Sequence, residues 1–195
     1  IFYGNILHGK LIFEKNKSTM KYILAFAGSN SSTSINKQLI TYSSKLLNDK
    51  EIKLIDLNDF EMPIYSADRE NENGLPDKAH QFVELIKNSD GIMLSLAEHN
   101  GAYTTVFKNI FDWSSRVASK TFFNKPMLLM ATSPGGRGGA SVLEMAKNRF
   151  PFHDANIIDT FSLPSFNDNF SDGKVTNKNF QEEWFSKIKK FEKAL

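Results

Sequence analysis

The chain has 195 residues, of which 41% are hydrophobic and 24% are charged, and its formal net charge is +2. The length suits one globular α/β domain, and the composition excludes a disordered or fibrous chain. So small a net charge provides no long-range electrostatic attraction to nucleic acid. The absence of cysteine excludes disulfides, thiolate metal sites and cysteine nucleophiles, and it is typical of a reducing cytoplasm. Since no apolar run reaches the ~20 residues of a membrane helix, we expect neither a membrane nor a nucleic-acid partner.

The first nineteen residues are treated apart from the rest. Residues 1–19 mix apolar side chains with lysine and glutamate in no clear period, and they lack the pattern of a secretory signal. We expect an N-terminal extension outside a domain that covers residues 20–195. The alternative is an arm that packs on a partner subunit through side chains such as Phe2, Tyr3 and Phe13.

From residue 20 onward, short apolar runs alternate with longer amphipathic ones, a pattern typical of βαβ units on a parallel sheet. The predicted strands are residues 22–27, 51–57, 91–96, 126–131 and 156–161. The predicted helices are residues 36–47, 75–87, 104–118, 139–150 and 179–195, with a long polar loop over residues 58–74. The pattern predicts a three-layer α/β sandwich with a five-stranded parallel sheet in the order 2-1-3-4-5, its second strand at the edge and its third central.

The turn after the first strand is rich in hydroxyl groups and leads directly into a helix. It contains Ser29, Ser31, Ser32, Thr33 and Ser34. Free backbone N–H groups and the helix dipole favour a phosphate at such a place. The turn has no lysine or arginine and matches neither the P-loop nor the G-x-G-x-x-G pattern. We therefore predict a seat for one terminal phosphate, as on a mononucleotide; the alternative is an ordinary helix cap.

The loop after the third predicted strand, residues 97–103, contains a carboxylate, an imidazole and an amide in Glu98, His99 and Asn100. A flat heteroaromatic ring could lie against its backbone, whereas the alternative is a turn with helix-capping chemistry. Histidine can serve as a general acid or base, but a lone histidine in a loop is more often solvated or hydrogen-bonded, so we assign no catalytic residue. The four histidines show no metal-ligand spacing, and we expect no metal site.

The loop after the fourth predicted strand is rich in glycine. Gly135 and Gly136 let its backbone approach a ligand closely. Arg137 is its one cation and could bind a phosphate through two hydrogen bonds, although an exposed, solvated arginine is the commoner case.

The predicted helix over residues 104–118 carries two further features. The four-residue spacing of Lys108 and Asp112 predicts an ion pair on the helix surface, which would contribute little to stability. Phe107, Phe111 and Trp113 give more aromatic surface than one buried face needs, which favours a partner subunit. The alternative is that all three reach the core of this chain.

Taken together, the motifs resemble the NADPH-dependent FMN reductase family, flavodoxin-like reductases that include quinone, azo and chromate reductases. The likeness runs from residue 22 to about residue 191. The first family motif, Gly-Ser followed by Arg, Ser and Asn, is matched by Gly28, Ser29, Ser34 and Asn36. Ser31 stands where the family has arginine, which removes one charge from the phosphate seat.

The second family motif, Pro-Glu-Tyr-Asn-Gly, aligns with residues 97–101, where Ala97 and His99 replace proline and tyrosine. The Lys-Asn and Asp-Trp pairs that follow it are present at residues 108–109 and 112–113. The third motif, Ser-Pro-Gly-Gly-x-Gly-Gly, is intact at residues 133–139.

This resemblance implies a flavodoxin-like fold that binds FMN, takes hydride from NADPH or NADH and passes electrons to free flavin, a quinone or another small acceptor. It implies a homodimer or homotetramer with the helix over residues 104–118 at the subunit contact. The implied cofactor-binding residues are Ser29, Ser31, Ser34, Ile35, Asn36, Ala97, Glu98, His99, Asn100, Ser133, Gly135, Gly136 and Arg137.

Two other functions fit the same sequence. A flavodoxin-type one-electron carrier would bind FMN without pyridine-nucleotide turnover, but such carriers are strongly acidic around the flavin and this chain carries +2. A flavin-free binding module would have lost its phosphate seat at Ser31.

Overall fold

The computed structural model describes residues 22–47 and 49–195, so the expectation for residues 1–19 lies outside the described part of the chain. The strands are β1 Ile23–Gly28, β2 Ile52–Ile55, β3 Gly91–Leu96, β4 Glu98–His99, β5 Ala102–Tyr103, β6 Pro126–Thr132, β7 Asn156–Leu163, β8 Phe170–Ser171 and β9 Lys174–Val175. The α-helices are α1 Ile35–Ser44, α2 Ala67–Asn73, α3 Asp77–Lys87, α4 Thr105–Val117, α5 Ala140–Arg149, α6 Phe166–Asn169 and α7 Lys178–Ala194. Short 3₁₀ helices cover Leu57–Phe60 and Phe150–His153.

The main sheet has five parallel strands in the order β2-β1-β3-β6-β7. Counted along the chain within this sheet, the order is 2-1-3-4-5, so the predicted flavodoxin-like topology is confirmed. β1 and β3 are buried along their whole length, whereas β2 is partly exposed at the edge. Because the strands are parallel, the loops after β1, β3 and β6 all leave the sheet on the same side, at the carboxyl ends of the strands.

The sheet separates two hydrophobic cores, which makes the three layers. Alternate residues of β1 face opposite sides: Leu24 and Phe26 join the core under α3, α4 and α5, and Ile23 and Ala25 join the core under α1 and α7. An all-apolar strand is what burial on both faces requires.

The aromatic residues of α4 lie inside the chain. Phe107, Phe111 and Trp113 are 2%, 6% and 1% exposed and pack in the first of these cores. The interpretation that they offer surplus surface to a partner is therefore wrong, and the alternative is the observed arrangement. The predicted ion pair between Lys108 and Asp112 is present at 2.6 Å on the exposed side of the helix.

Helix α7 is amphipathic and covers one face of the sheet. It buries Trp184, Ile188 and Phe191, and Lys187 and Lys190 donate hydrogen bonds to Asp159 of β7. Within residues 22–47 and 49–195, no helix combines the length and the apolar character needed to cross a bilayer.

The segment predicted as one long polar loop, residues 58–74, is largely ordered into helix. The 3₁₀ helix Leu57–Phe60 is capped by the Asp56 carboxylate, and α2 is capped by the Ser66 hydroxyl, which accepts from the Arg69 N–H. Helix α2 buries no residue, so its sequence has no apolar period from which a helix could be predicted. The two hairpins β4–β5 and β8–β9 were likewise not predicted.

Candidate functional site

The loops after β1, β3 and β6 enclose a cavity of about 300 Å³, which we call the main cavity. This is the small end of the ~300–1,000 Å³ range of ligand pockets, and it lies at the carboxyl ends of the strands, where doubly wound sheets bind ligands. Its walls include these predicted residues: Ser29, Ser31, Ser34, Ile35, Asn36, Ala97, Glu98, His99 and Ser133. Thr33, Thr132 and Pro134 also line it, but Asn100, Gly135, Gly136 and Arg137 do not.

The turn over residues 29–34, which we call the hydroxyl loop, is held in shape by its own side chains. The Oγ of Ser29 accepts from the N–H of Ser31 at 3.2 Å, and the Oγ of Ser31 accepts from the N–H of Thr33 at 3.3 Å. The Oγ of Ser31 and the Oγ1 of Thr33 lie 3.3 Å apart, so one of these two hydroxyls donates to the other. The O–H of Ser29 and one of the other two can still donate to an anion.

The first turn of α1 presents backbone donors to the main cavity. Ser34 caps the helix by accepting from the N–H of Lys37 at 3.2 Å. The N–H groups of Ile35 and Asn36 precede the first intrahelical bond and have no acceptor within the helix. Together with the helix dipole they make an anion seat that needs no cationic side chain.

The Asn36 side chain joins three elements of the fold. Its Nδ2 donates to the carbonyl of Thr132 at 3.2 Å, and its Oδ1 accepts from the Thr132 N–H at 3.1 Å and from the Ser95 Oγ at 2.8 Å. Asn36 is 2% exposed. The amide thus ties α1 to the ends of β3 and β6.

The loop after β3 is a tight hairpin. Glu98 and His99 pair with Tyr103 and Ala102, and Asn100 and Gly101 have φ values of 52° and 77°. Positive φ at both central residues is the geometry of a type I′ turn, for which Asn-Gly is strongly preferred. Asn100 is therefore a turn residue, and it is not among the residues that line the main cavity.

Glu98 has a structural partner that the sequence did not reveal. Its Oε2 accepts from the N–H of Val142 at 3.0 Å, in the first turn of α5. The residue at the N-cap position of that helix is Gly139, which has no side chain to do this. Glu98 therefore caps α5 from the neighbouring loop and fixes the β3 and β6 loops to each other.

The glycines of the loop after β6 differ in the space around their Cα atoms. Gly138 has a φ of 57°, and a Cβ there would lie 2.4 Å from the Ser162 Oγ, whereas a Cβ at Gly135 or Gly136 would meet open space. Arg137 is exposed and donates through Nη2 to the Ser141 Oγ at 3.1 Å. Arg137 thus does not line the main cavity, and its phosphate contact stays a prediction.

A polar network holds the outer side of the hydroxyl loop. The Lys37 ammonium donates to Asp56 Oδ2, and Asp56 Oδ1 accepts from the N–H and the Nδ2 of Asn58 at 3.0 and 2.9 Å. Asn58 Nδ2 also donates to the carbonyl of Asn30 at 3.2 Å. The hydrogen bond from Lys37, followed by that from the Asn58 backbone, lowers the pKa of Asp56.

Helix α4 holds the segment Met62–Tyr65. Asn109 Nδ2 donates to the carbonyl of Met62 at 3.1 Å, and Asn109 Oδ1 accepts from the Tyr65 N–H at 2.9 Å. Trp113 Nε1 donates to the carbonyl of Pro63 at 2.7 Å, and its ring meets the Tyr65 ring edge-on at 5.0 Å. Asn109 and Trp113, the second members of the Lys-Asn and Asp-Trp pairs, thus order the segment after β2. In the described ranges 22–47 and 49–195, no three histidine, aspartate or glutamate side chains are grouped as metal ligands.

Comparison with known proteins gives the family. The family model described as NADPH-dependent FMN reductase matches residues 21–168, which is most of the chain. The chain belongs to this family. Its members are oxidoreductases that use FMN and NADPH, and the resemblance read from the three sequence motifs is confirmed.

Individual relatives agree with the FMN reductase family. A quinone reductase from Escherichia coli (strain K12) is 31% identical over 98 residues, which are 50% of this chain and 52% of the relative. The match thus spans about half the length of that curated relative. The flavoenzyme NAD(P)H:(acceptor) oxidoreductase FerB from Paracoccus denitrificans has a TM-score of 0.70 at 23% identity, covering 89% of this chain and 98% of that chain. Flavodoxin 1 from Bacillus cereus has a TM-score of 0.56 at 14% identity, covering 90% and 97%. These two structures share the fold.

Proposed function

We propose that the chain is an FMN-dependent NAD(P)H oxidoreductase that passes electrons from NADPH or NADH to free flavin, a quinone or another small acceptor. The observation that carries this proposal is the meeting of the β1, β3 and β6 loops around one cavity, with the first turn of α1 at its floor. Membership of the FMN reductase family supports it.

The residues present fit the phosphate end of FMN. The N–H groups of Ile35 and Asn36 and the hydroxyls of Ser29, Ser31 and Ser34 would bind the phosphate oxygens, all of them on the wall of the main cavity. The donor set is neutral, and the helix dipole supplies the favourable potential.

The β3 and β6 loops would bind the ring. Ala97, Glu98 and His99 present backbone on one side of the main cavity, and Ser133 lies on the other. The hydrogen bond from Val142 to Glu98 fixes the separation of these two walls. When bound, FMN supplies the hydride and electron chemistry, so the protein contributes position and hydrogen bonds.

The purified protein should be reconstituted with FMN and mixed anaerobically with NADPH and, separately, with NADH in a stopped-flow spectrometer. We expect rapid bleaching of the visible flavin absorbance with at least one nucleotide, followed by recolouring when a quinone is added. Bound flavin that no nucleotide bleaches would instead identify a one-electron carrier, and a protein that takes up no FMN would be a flavin-free binding module.

The finer features of this proposal have separate tests. We propose a homodimer or homotetramer, which light scattering of the purified protein measures directly. Location in the cytoplasm remains a prediction from the absence of cysteine. The rates with free flavin, quinones and azo compounds would rank the acceptors.

A further inference from the structure

Lys37 is the cationic residue nearest to the hydroxyl loop along the chain. Its position determines whether a phosphate bound at that loop has a positive side chain beside it. Its side chain lines a second cavity of about 210 Å³ on the outer side of that loop. Thr33 and Ser34 line both this cavity and the main cavity. Lys37 is thus separated from the main cavity by one layer of hydroxyl side chains.

The Lys37 ammonium is held by the Asp56 carboxylate. It donates to Asp56 Oδ2, and the other oxygen of the carboxylate is held by Asn58. Because Asn58 also binds the carbonyl of Asn30, the carboxylate is fixed relative to the loop. Among the residues that the structure describes, no lysine or arginine lines the main cavity.

We propose that Asp56 is a specificity-determining residue, which holds Lys37 outside the main cavity and so leaves the phosphate end of a bound flavin to neutral donors alone. The inference rests on the proposed function and deepens it. A site of this kind binds FMN with little dependence on salt, because the phosphate gains no ion pair with a cationic side chain.

Removing the carboxylate should reverse this behaviour. The lysine side chain is a flexible four-carbon stem with a compact charge, so once freed it can turn to the phosphate across the shared wall. A contact between ammonium and phosphate is a charge-assisted hydrogen bond, and its energy falls as salt screens the charges.

The test measures the dissociation constants of FMN and of riboflavin by flavin fluorescence, at low and at high salt. Four proteins are compared: the wild-type chain, Lys37→Met, Asp56→Asn and the double variant. In the wild-type chain the dissociation constant of FMN should change little between low and high salt. Lys37→Met should leave both constants unchanged. Asp56→Asn should bind FMN about tenfold more tightly at low salt, with riboflavin unchanged. The double variant should return to the wild-type value.

Three results would overturn the assignment of Asp56. Salt-dependent loss of FMN affinity in Lys37→Met would mean that Lys37 already contacts the phosphate. Equal weakening of both flavins in Asp56→Asn would mean that Asp56 only supports the loop, and unchanged constants would mean that Lys37 stays outside without it. If Asp56→Asn does not fold, Asp56→Ser, which also lacks the carboxylate, takes its place with the same expected result. A wild-type chain that binds neither flavin would contradict the proposed function as well.

Discussion

The Asn36 side chain makes three hydrogen bonds to other parts of the chain beside the main cavity. Its amide satisfies both backbone groups of Thr132 and the Ser95 hydroxyl in a buried setting. From sequence alone, a short polar side chain at the start of a helix is easily interpreted as a ligand-binding group. The sequence does not show which strand ends lie around it and could accept its hydrogen bonds. Here the amide holds the walls together instead.

Replacing Asn36 by alanine should therefore reduce stability strongly. Buried donors and acceptors at Thr132 and Ser95 would lose their partners, and we expect the free energy of unfolding to fall by about 2–4 kcal/mol. Urea denaturation measures this. Asn71→Ala, on the exposed surface of α2, is the matched control and should change stability by less than about 0.5 kcal/mol. Equal effects at the two positions would contradict the structural role of Asn36.

The glycines of the β6 loop give a second comparison between single residues. In Gly138→Ala the new Cβ would meet the Ser162 Oγ at 2.4 Å and the Pro164 nitrogen at 2.8 Å, and the backbone has a φ of 57°. We expect thermal unfolding to show a loss of about 2–4 kcal/mol. Gly135→Ala places its Cβ in open space and should be nearly neutral. If Gly138→Ala were as stable as Gly135→Ala, the close approach of this loop to β7 would be wrong.

At the scale of secondary-structure elements, the contact between α4 and the Met62–Tyr65 segment is open to direct measurement. Asn109→Ala removes the acceptor of the Tyr65 N–H and the donor to Met62. Hydrogen exchange of the Tyr65 amide should accelerate by about tenfold or more, since its closed state loses a bond of roughly 1–1.5 kcal/mol.

Trp113→Phe provides the control for this experiment. It retains an aromatic ring against Tyr65 but loses the Nε1 bond to Pro63, so the Pro63 carbonyl, and not the Tyr65 N–H, loses its partner. Exchange at Tyr65 should rise less than in Asn109→Ala. An unchanged Tyr65 amide in Asn109→Ala would show that packing alone orders the segment.

The elements of the main sheet could be predicted from sequence, whereas several smaller ones could not. Strands buried on both faces, such as β1 and β3, are continuous apolar runs, and their order follows from the βαβ pattern. Helix α2 and the hairpin β8–β9 depend on local caps and turns and have no apolar period. At the site, the three loops were predictable because parallel strands end at one edge. The partners of Asn36 and Glu98 were not, since they lie 96 and 44 residues away.

For the molecule as a whole, Asp159 links the sheet to α7 and makes stability depend on pH. Partial burial by itself raises the pKa of Asp159, but hydrogen bonds from Lys190, the Thr160 N–H and Lys187 outweigh burial, so the pKa is lowered. A carboxylate with a lowered pKa stabilises the fold above its unfolded pKa of about 3.9, and this contribution is lost as the pH falls through the folded value.

Asp159→Asn should accordingly be less stable than the wild-type chain by about 1 kcal/mol at pH 7, a small value because Lys190 is largely exposed. The difference should persist down to about pH 5 and then shrink as the pH falls through the lowered pKa of Asp159. Urea titrations of both proteins across this range measure it. Glu72→Gln, an exposed change on α2, should leave stability unchanged. A gap between wild type and Asp159→Asn that widens in acid would contradict the ion-pair geometry.

The walls of the main cavity come from residues as far apart in the chain as Ser29 and Pro134. They can meet only after β1, β3 and β6 have paired, and pairings between such distant segments form late and slowly. The binding surface therefore does not exist in the folding transition state unless the central sheet is already complete there. A ligand that needs all three loops should slow unfolding in proportion to its affinity and leave the refolding rate almost unchanged.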